Sequence, residues 1–346
     1  KNPYLEKFFS VFLKLVGKFL KITKIDKVVY INNWFLSTNL YPSLTQKQLS
    51  EITNFLVKNF PKHALVFRSI NKHSYPELFE NLIHLKYKFI GSRQVYLFNK
   101  ERWDTLRGTE KNKMFHDFHL QENSDYKIFK LNSKDYSRVV DLYNQLYLDK
   151  YSYLNPQFTE AFIDLTYSKK LLSYFPINKY GNNFNGVIGY FYRNGIMTTP
   201  MLGYEMSCPR EEGLYRILNA IIFKEAKNNS FFLNMSSGAS TFKMYRGAIP
   251  EIEYSLIYDN HLSLMRKLGI NFLKNLINKV AIPLMKKNGY ILADNTLWDG
   301  HVLEENSKDA QTIGIIAFND LVAKDDRFEK VIVPVRDGMT LIRKIK

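Results

Sequence analysis

Residues 196–216, with the sequence IMTTPMLGYEMSCPREEGLYR, decide the fold. The first ten, Ile196 to Glu205, predict a β-strand, and Gly213 opens a segment that predicts a helix to about Ala226. A strand that leads into a helix N-terminus presents free N–H groups and the positive end of the helix dipole. The stretch therefore predicts a strand–loop–helix unit that can bind an anion such as a pyrophosphate.

The segments around this unit continue the alternation of strands and helices. Asn194-Gly195 joins two apolar runs, which is a strong signal for a β-hairpin. The order β-α-α-β-β-β-α-β-α-β results when the predicted elements are taken together: strands at 126–131, 171–175, 186–193, 196–205, 231–235 and 252–258, and helices at 135–147, 159–168, 213–226 and 239–246.

The first half of the chain predicts a looser β-α-β-α-β series. Its predicted elements are an amphipathic helix over 4–22, strands at 27–31, 64–70 and 94–98, and helices at 46–59 and 77–86. Residues 102–122 are polar and charged, and we interpret them as a connector between the halves.

The order of the second half resembles the fold of GNAT acyltransferases. A second motif, FLNMSSGASTFKMYRGA at 232–248, resembles the Fem-type branch of that superfamily, whose members have two GNAT-like halves. The resemblance implies an α/β fold: a GNAT-like mixed sheet with flanking helices, in two lobes. We place an N-terminal helix at 1–26, a degenerate lobe and connector at 27–122, and the acyltransferase lobe at 123–285.

The resemblance and the chemistry of acyl transfer together suggest site residues. Arg210, Gly213, Tyr215 and Arg216 belong to the loop and helix start that would bind the donor's phosphates. Lys243 and Arg246 share one face of the short helix and could hold an anionic donor or substrate. Glu205, at the end of the central strand, is the expected base, with a pKa raised by partial burial. Tyr245 is the expected general acid.

Each assignment has a structural alternative. Glu205 could make an ordinary ion pair, Tyr245 could be a packing residue, and Lys243 with Arg246 could form a solvated basic face. Four further features could contribute to the site: Ser236 and Ser237 could donate hydrogen bonds, Asn155-Pro156 could cover the acceptor side, and Arg68 and Arg93 could line a groove between the halves.

Composition limits the class of protein. The chain has 346 residues, of which 45% are hydrophobic and 24% charged, as in ordinary globular proteins. Its single cysteine, Cys208, excludes an intrachain disulfide and favours a reducing, cytoplasmic location. The net charge of +16 favours polyanionic partners such as a nucleotide, tRNA or an anionic membrane surface. Helix 4–22 could contact such a membrane peripherally.

The end of the chain carries a second resemblance. Residues 288–301, NGYILADNTLWDGH, resemble the last third of class I O-methyltransferases of the caffeoyl-CoA/catechol type. In that family the matching Asp and Asn bind a divalent metal, which would implicate Asp294 and Asn295. The glycine-rich front half of the family's S-adenosylmethionine site has no counterpart upstream. We therefore interpret 286–346 as a partial Rossmann-like tail, and expect neither S-adenosylmethionine nor a metal as cofactor.

The sequence thus favours an N-acyltransferase. It would move an acyl or aminoacyl group from CoA, acyl carrier protein or tRNA to a small-molecule amine, or to a lipid or peptide acceptor. Two alternatives remain open: an O-methyltransferase-related protein completed by missing sequence or a partner, and a non-catalytic basic module that binds RNA or membrane.

Overall fold

The computed structural model describes residues 3–34, 36–179, 184–283, 290–293, 296–304, 307, 309–324, 328–333 and 339–344. The chain divides into two compact units, neither of which is continuous in sequence. Unit 1 comprises 1–29, 57–64 and 258–346, and unit 2 comprises 30–56 and 65–257. The linear domain boundaries given above remain a prediction.

Helices and strands alternate along the described chain. The helices are α1 (Pro3–Ile22), α2 (Gln46–Asn59), α3 (Pro76–His84), α4 (Glu101–Thr105), α5 (Gly108–Asn123), α6 (Tyr136–Asn144), α7 (Glu160–Ser168), α8 (Leu214–Asn228), α9 (Ser240–Met244), α10 (Leu264–Asn275) and α11 (Ala310–Lys324). The strands are β1 (Val28–Tyr30), β2 (Ala64–Ile70), β3 (Lys88–Phe98), β4 (Lys127–Ile128), β5 (Leu172–Asn178), β6 (Gly186–Arg193), β7 (Ile196–Tyr204), β8 (Phe232–Asn234), β9 (Ile249–Tyr258), β10 (Tyr290–Ala293), β11 (Phe328–Val333) and β12 (Met339–Lys344).

Nine of the described strands form one mixed sheet in the order β1-β2-β9-β3-β8-β7-β6-β5-β4. Strands β5, β6 and β7 are antiparallel neighbours, as the Asn194-Gly195 hairpin predicts. Strand β8 pairs antiparallel with β3 and parallel with β7. The expected mixed α/β sheet with flanking helices is confirmed.

The hydrophobic core of unit 2 lies between this sheet and α8. Along α8, Ile217, Leu218, Ile221 and Phe223 are at most 4% exposed and pack with residues from β3, β6, β7 and β8. A side chain this deeply buried stabilises the fold by about 1.5–3 kcal/mol. The helix is therefore fixed against the centre of the sheet, and with it the loop that leads into its first turn.

Residues 102–122 contain helices rather than a polar connector, so that interpretation was wrong. Helix α5 packs along α8: Lys224 of α8 bonds Gln121 at 2.6 Å and Glu122 at 2.7 Å. The buried face of α5 includes an aspartate, Asp117, which is 1% exposed. Because that face is not apolar, the helix lacks the hydrophobic periodicity by which sequence reveals one.

Gly203 allows α6 to approach β7 closely. A Cβ atom at this position would lie 2.5 Å from the carbonyl carbon of Leu142 and 2.6 Å from the amide nitrogen of Tyr143. Both of those atoms belong to the backbone of α6 and cannot move as a side chain would. The missing side chain at Gly203 therefore sets how near α6 and the turn after it lie to the sheet.

In unit 1, helices α1 and α10 pack together. The rings of Phe19 and Phe272 meet edge to face with centroids 5.1 Å apart, and Gly269 leaves room for Thr23. The rest of the described part of this unit contains α11 and an antiparallel sheet in the order β10-β12-β11. Apolar residues of α1 such as Val11 and Leu15 are exposed, and membrane contact through this helix remains a prediction. Within the described ranges, no helix combines the length and apolarity needed to cross a bilayer.

We predict that Gly203→Ala destabilises the protein by about 1–3 kcal/mol or more, because the added methyl group would overlap the backbone of α6. Urea denaturation followed by circular dichroism measures this change. Gly17→Ala is the matched control: Gly17 lies in α1 with nothing within 4 Å of the added Cβ, so that variant should be neutral or slightly stabilised. Equal stability of the two variants would contradict the close approach of α6 to β7.

Candidate functional site

Strands β7 and β8 pair for only three residues and then separate. Ile196, Met197 and Thr198 pair with residues 232–234, after which β7 continues to Tyr204 while the other chain turns away. A cavity of about 560 Å³ opens beside this divergence. Its lining includes residues 199–204 of β7, residues 235–239 after β8, and Tyr215, Asn219 and Ile222 of α8. The volume falls in the range of small-molecule sites.

Tyrosines dominate one wall of the cavity. Tyr143, Tyr147 and Tyr151 line it at intervals of four residues, together with Tyr204 and Tyr215. The rings of Tyr143 and Tyr147 stack with centroids 4.7 Å apart. A π-helical turn, Gln145–Asp149, follows α6 and carries the middle tyrosine of the three.

These tyrosines are neutral hydroxyl groups at physiological pH. Burial raises the pKa of Tyr143 and of Tyr215 to about 12. Burial also raises the pKa of Tyr147. The wall therefore offers aromatic surface and hydroxyl donors without negative charge.

Lys243 is the buried cation of the cavity. It is 5% exposed, and its Nζ donates to the carbonyl oxygens of Met235 at 2.6 Å and Ser237 at 2.7 Å. Burial, assisted by the positive charge of Arg93, lowers its pKa to about 7. A lysine with this pKa is about half neutral at pH 7 and can exchange a proton with a ligand.

The loop held by Lys243 has a strained backbone. Ser236, Gly238 and Ala239 have φ values of 57°, 76° and 45°, and positive φ is uncommon for residues other than glycine. Its carbonyl bonds to Lys243 help to hold this conformation. Strain of this kind is often found where a loop must meet a ligand.

Arg93 reaches the same loop from β3. Its Nε donates to Glu253 at 2.7 Å, its Nη2 to the carbonyl of Ser37 at 2.6 Å, and its Nη1 lies 3.5 Å from the hydroxyl of Ser237. Arg93 thus lies in the cavity lining, as suggested from its place beside a strand. Arg68 instead holds the loop before α2, by bonds to the carbonyls of Leu36 and Ser37.

Glu205 differs from its expected state. Its carboxylate accepts a bond from Arg138 at 2.7 Å and another from the hydroxyl of Ser207 at 2.9 Å. The bond from Arg138 lowers the pKa of Glu205, so the expected rise was wrong. Glu205 is not part of the cavity lining. Its role as a base is untested, but a carboxylate stabilised in this way is a weak base.

The other predicted site residues have separate positions. Tyr215 and Lys243 line the cavity, whereas Tyr245 follows α9 with its side chain 53% exposed. Arg210 is exposed in a 3₁₀ turn before α8. Gly213 is the N-cap of α8 at φ 67°, and a Cβ there would lie 2.8 Å from Leu120. The donor-binding roles of Arg210 and Gly213 remain predictions.

Arg216 and Arg246 converge on one buried carboxylate. Arg216 bonds Asp117 at 2.7 Å, and Arg246 bonds the other oxygen of Asp117. The guanidinium of Arg246 also lies 3.5 Å from the centre of the Phe242 ring, and its side chain is 6% exposed. This arrangement joins α5, α8 and α9, which favours a structural role over the predicted contact with a donor.

The predicted metal ligands Asp294 and Asn295 lie outside the described residues. Among the residues that are described, no group of three His, Cys, Asp or Glu side chains could hold a metal ion. Cys208 is outside the cavity lining, and burial raises the pKa of its thiol.

We predict that Lys243→Met changes how stability depends on pH. The unfolded chain binds a proton at this lysine up to its ordinary pKa of 10.5, whereas the folded protein releases it near 7. The free energy of unfolding of the wild type should therefore rise between pH 7 and pH 10 relative to the variant. The slope should reach up to about 1.4 kcal/mol per pH unit. Urea denaturation at several pH values measures it, and a pH-independent difference would contradict a lowered pKa.

We predict that Asp117→Asn destabilises unit 2 by about 3–5 kcal/mol, because it leaves Arg246 buried without its counter-charge. Chemical denaturation measures the loss. Glu122→Gln is the control on the same helix, since the Glu122 side chain is 61% exposed where it pairs with Lys224. That variant should show little change. An unaffected Asp117→Asn protein would argue against a structural role for the pair of arginines.

Comparison with known proteins shows two separate likenesses, the first at the C-terminal end. The family model for O-methyltransferases matches residues 263–345. The chain is 35% identical over 68 residues to "Probable caffeoyl-CoA O-methyltransferase 1" of Dictyostelium discoideum, which is 19% of this chain and 30% of that protein. It is 42% identical over 71 residues to "Tricin synthase 2" of Oryza sativa subsp. japonica, or 18% and 24%. The chain thus spans less than a third of these relatives, and the resemblance at its end is confirmed.

The second likeness covers about two thirds of the chain. The structure of L-PGS from Bacillus licheniformis matches with a TM-score of 0.47 and 13% identity, over 66% of this chain and 78% of that one. FemX matches with a TM-score of 0.47 and 7% identity, over 66% and 80%. A tandem GNAT protein from the clavulanic acid pathway matches with a TM-score of 0.36 and 7% identity, over 61% and 69%. These solved structures include the GNAT and Fem-type classes to which the sequence motifs point.

Proposed function

We propose that unit 2 is an N-acyltransferase that moves an acyl or aminoacyl group from a carrier to an amine. The observation that carries the proposal is the cavity at the divergence of β7 and β8, with Lys243 buried in its wall. A transferase of this kind needs a site that excludes water, a proton acceptor near neutral pH and a place for a small acceptor. The cavity supplies each of these.

Lys243 would receive the first proton. An amine in water at pH 7 is an ammonium ion, and neutral Lys243 can take one proton from it. The amine nitrogen then forms a bond to the carbonyl carbon, and the bond from that carbon to the carrier's sulfur or oxygen breaks. The second nitrogen proton leaves with the thiolate or hydroxylate, so that the products are an amide, a protonated carrier and protonated Lys243.

The start of α8 supports a phosphate-bearing donor such as CoA or a charged tRNA. The first N–H groups of a helix have no partner within it, and Arg210 is exposed in the turn before them. The carboxylate of Glu212 in the same turn is occupied: it accepts a bond from the Tyr126 hydroxyl and lies 3.9 Å from Lys179. Its negative charge is therefore partly offset beside the proposed phosphate site.

A second candidate function belongs to unit 1. The match of residues 263–345 to the O-methyltransferase model favours a protein related to those enzymes. Since the matched residues correspond to less than a third of each relative described above, methyl transfer would require further sequence or a partner. Calorimetric binding of S-adenosylmethionine to this chain would support that candidate.

We predict that Lys243→Met lowers kcat/KM for acyl transfer by about 10²-fold or more, since it removes the proton acceptor. The assay combines amines with four donor classes: acetyl-CoA, long-chain acyl-CoA, aminoacyl-tRNA and acyl carrier protein. In the wild type, kcat/KM should rise with pH through about 7, the pKa of Lys243.

Lys224→Met is the control, because Lys224 bonds residues of α5 and lies outside the cavity lining. Its activity should match that of the wild type. Failure of all four donor classes, or full activity of Lys243→Met, would contradict the proposal.

A further inference from the structure

We propose that the acceptor amine carries an anionic group, a carboxylate or a phosphate, and that Arg93 binds this group inside the cavity beside Lys243. This inference rests on the proposed function, since it names the class of acceptor. It makes Arg93 the residue that sets acceptor specificity.

The charges of the cavity favour an anion. Among the described residues that line it, Arg93 and Lys243 are the charged ones, and both are cations. Both contact the same residue: Lys243 Nζ lies 2.7 Å from the carbonyl of Ser237, and Arg93 Nη1 lies 3.5 Å from its hydroxyl. Two cations that meet at one residue of an uncharged aromatic cavity define a place for a negative group.

Arg93 is held so that one edge stays available. Glu253 takes the Nε edge at 2.7 Å, and Ser37 and Thr38 accept from Nη2 at 2.6 and 3.0 Å. The bond from Nη1 to Ser237 is long by comparison and easily replaced. Glu253 is 3% exposed and is not part of the cavity lining, so it fixes the guanidinium from behind.

The loop after β8 adds neutral donors. In the described part of the chain, the backbone N–H groups of Gly238 and Ala239 have no hydrogen-bond acceptor. Both residues have positive φ and line the cavity. Successive N–H groups in such a conformation favour anions, so they would support a group bound first by Arg93.

The size of the cavity assigns the anion to the acceptor rather than to the carrier. A volume of about 560 Å³ accommodates a small molecule, whereas carrier protein and tRNA are macromolecules. The tyrosine wall would pack against the rest of the acceptor. The class that fits is a small amine with one acidic group, such as an amino acid or an aminoalkyl phosphate.

The test compares matched ligand pairs by calorimetry on the full chain. Phenylalanine is paired with phenethylamine, which lacks the carboxylate, and phosphoethanolamine with ethanolamine, which lacks the phosphate. The anionic member of at least one pair should bind about 10-fold or more tightly than its partner. Which pair shows the larger ratio identifies the preferred anion.

Arg93→Met should remove most of that ratio. Because this change leaves Glu253 buried without its partner, the double variant with Glu253→Gln serves if the single one does not fold. Arg68→Met is the matched control: Arg68 also holds the carbonyl of Ser37 but lies outside the cavity lining, so the ratio should persist.

Three results would overturn the inference: equal binding within both pairs, no binding of either anionic member at millimolar concentration, or equal loss of the ratio in the Arg68 and Arg93 variants. The outcome is separable from that of the proposed function. Discrimination without acyl transfer would leave the anion site standing and remove the proposed chemistry, whereas transfer to amines without discrimination would do the reverse.

Discussion

The structure of unit 2 depends on a parallel contact only three residues long. Strand β8 is bonded to β7 on one side and to β3 on the other, so this short strand joins the two groups of strands into one sheet. If β7 and β8 paired along their whole length, the sheet would close and the cavity would disappear. The early divergence of the two strands lets the sheet stay continuous while it opens on one side.

Lys243 links the stability of this region to its chemistry. Its bonds to the carbonyls of Met235 and Ser237 hold a loop that contains left-handed residues other than glycine. The burial that makes those bonds strong also lowers the lysine's affinity for a proton. In the neutral form, two N–H groups can still serve two carbonyls, so the loop keeps its support while the nitrogen gains a lone pair. A group that must both hold a loop and exchange a proton is well served by a lysine in this setting.

Local signals in the sequence predicted most of the elements of unit 2. The Asn194-Gly195 turn marked the hairpin, and regular apolar patterns gave α2, β2 and β6 at their observed bounds. Features that depend on distant residues could not be predicted in this way. Arg138 reverses the expected state of Glu205 from 67 positions away, and Asp117 gains its meaning only from Arg216 and Arg246. The tyrosine wall was missed because 23 tyrosines are spread through the chain, and only the fold shows which five meet.

The π-helical turn at Gln145–Asp149 has a consequence for insertions and deletions in this family of sequences. Such a turn is formally an α-helix with one extra residue. Removal of one residue from it would restore the regular helix and rotate everything that follows by about 100° around the axis. Tyr143 would keep its place against β7 while Tyr151 would turn away from it. A gap of a single residue at this point is therefore expected to separate chains that can build the aromatic wall from chains that cannot, even where both tyrosines are retained.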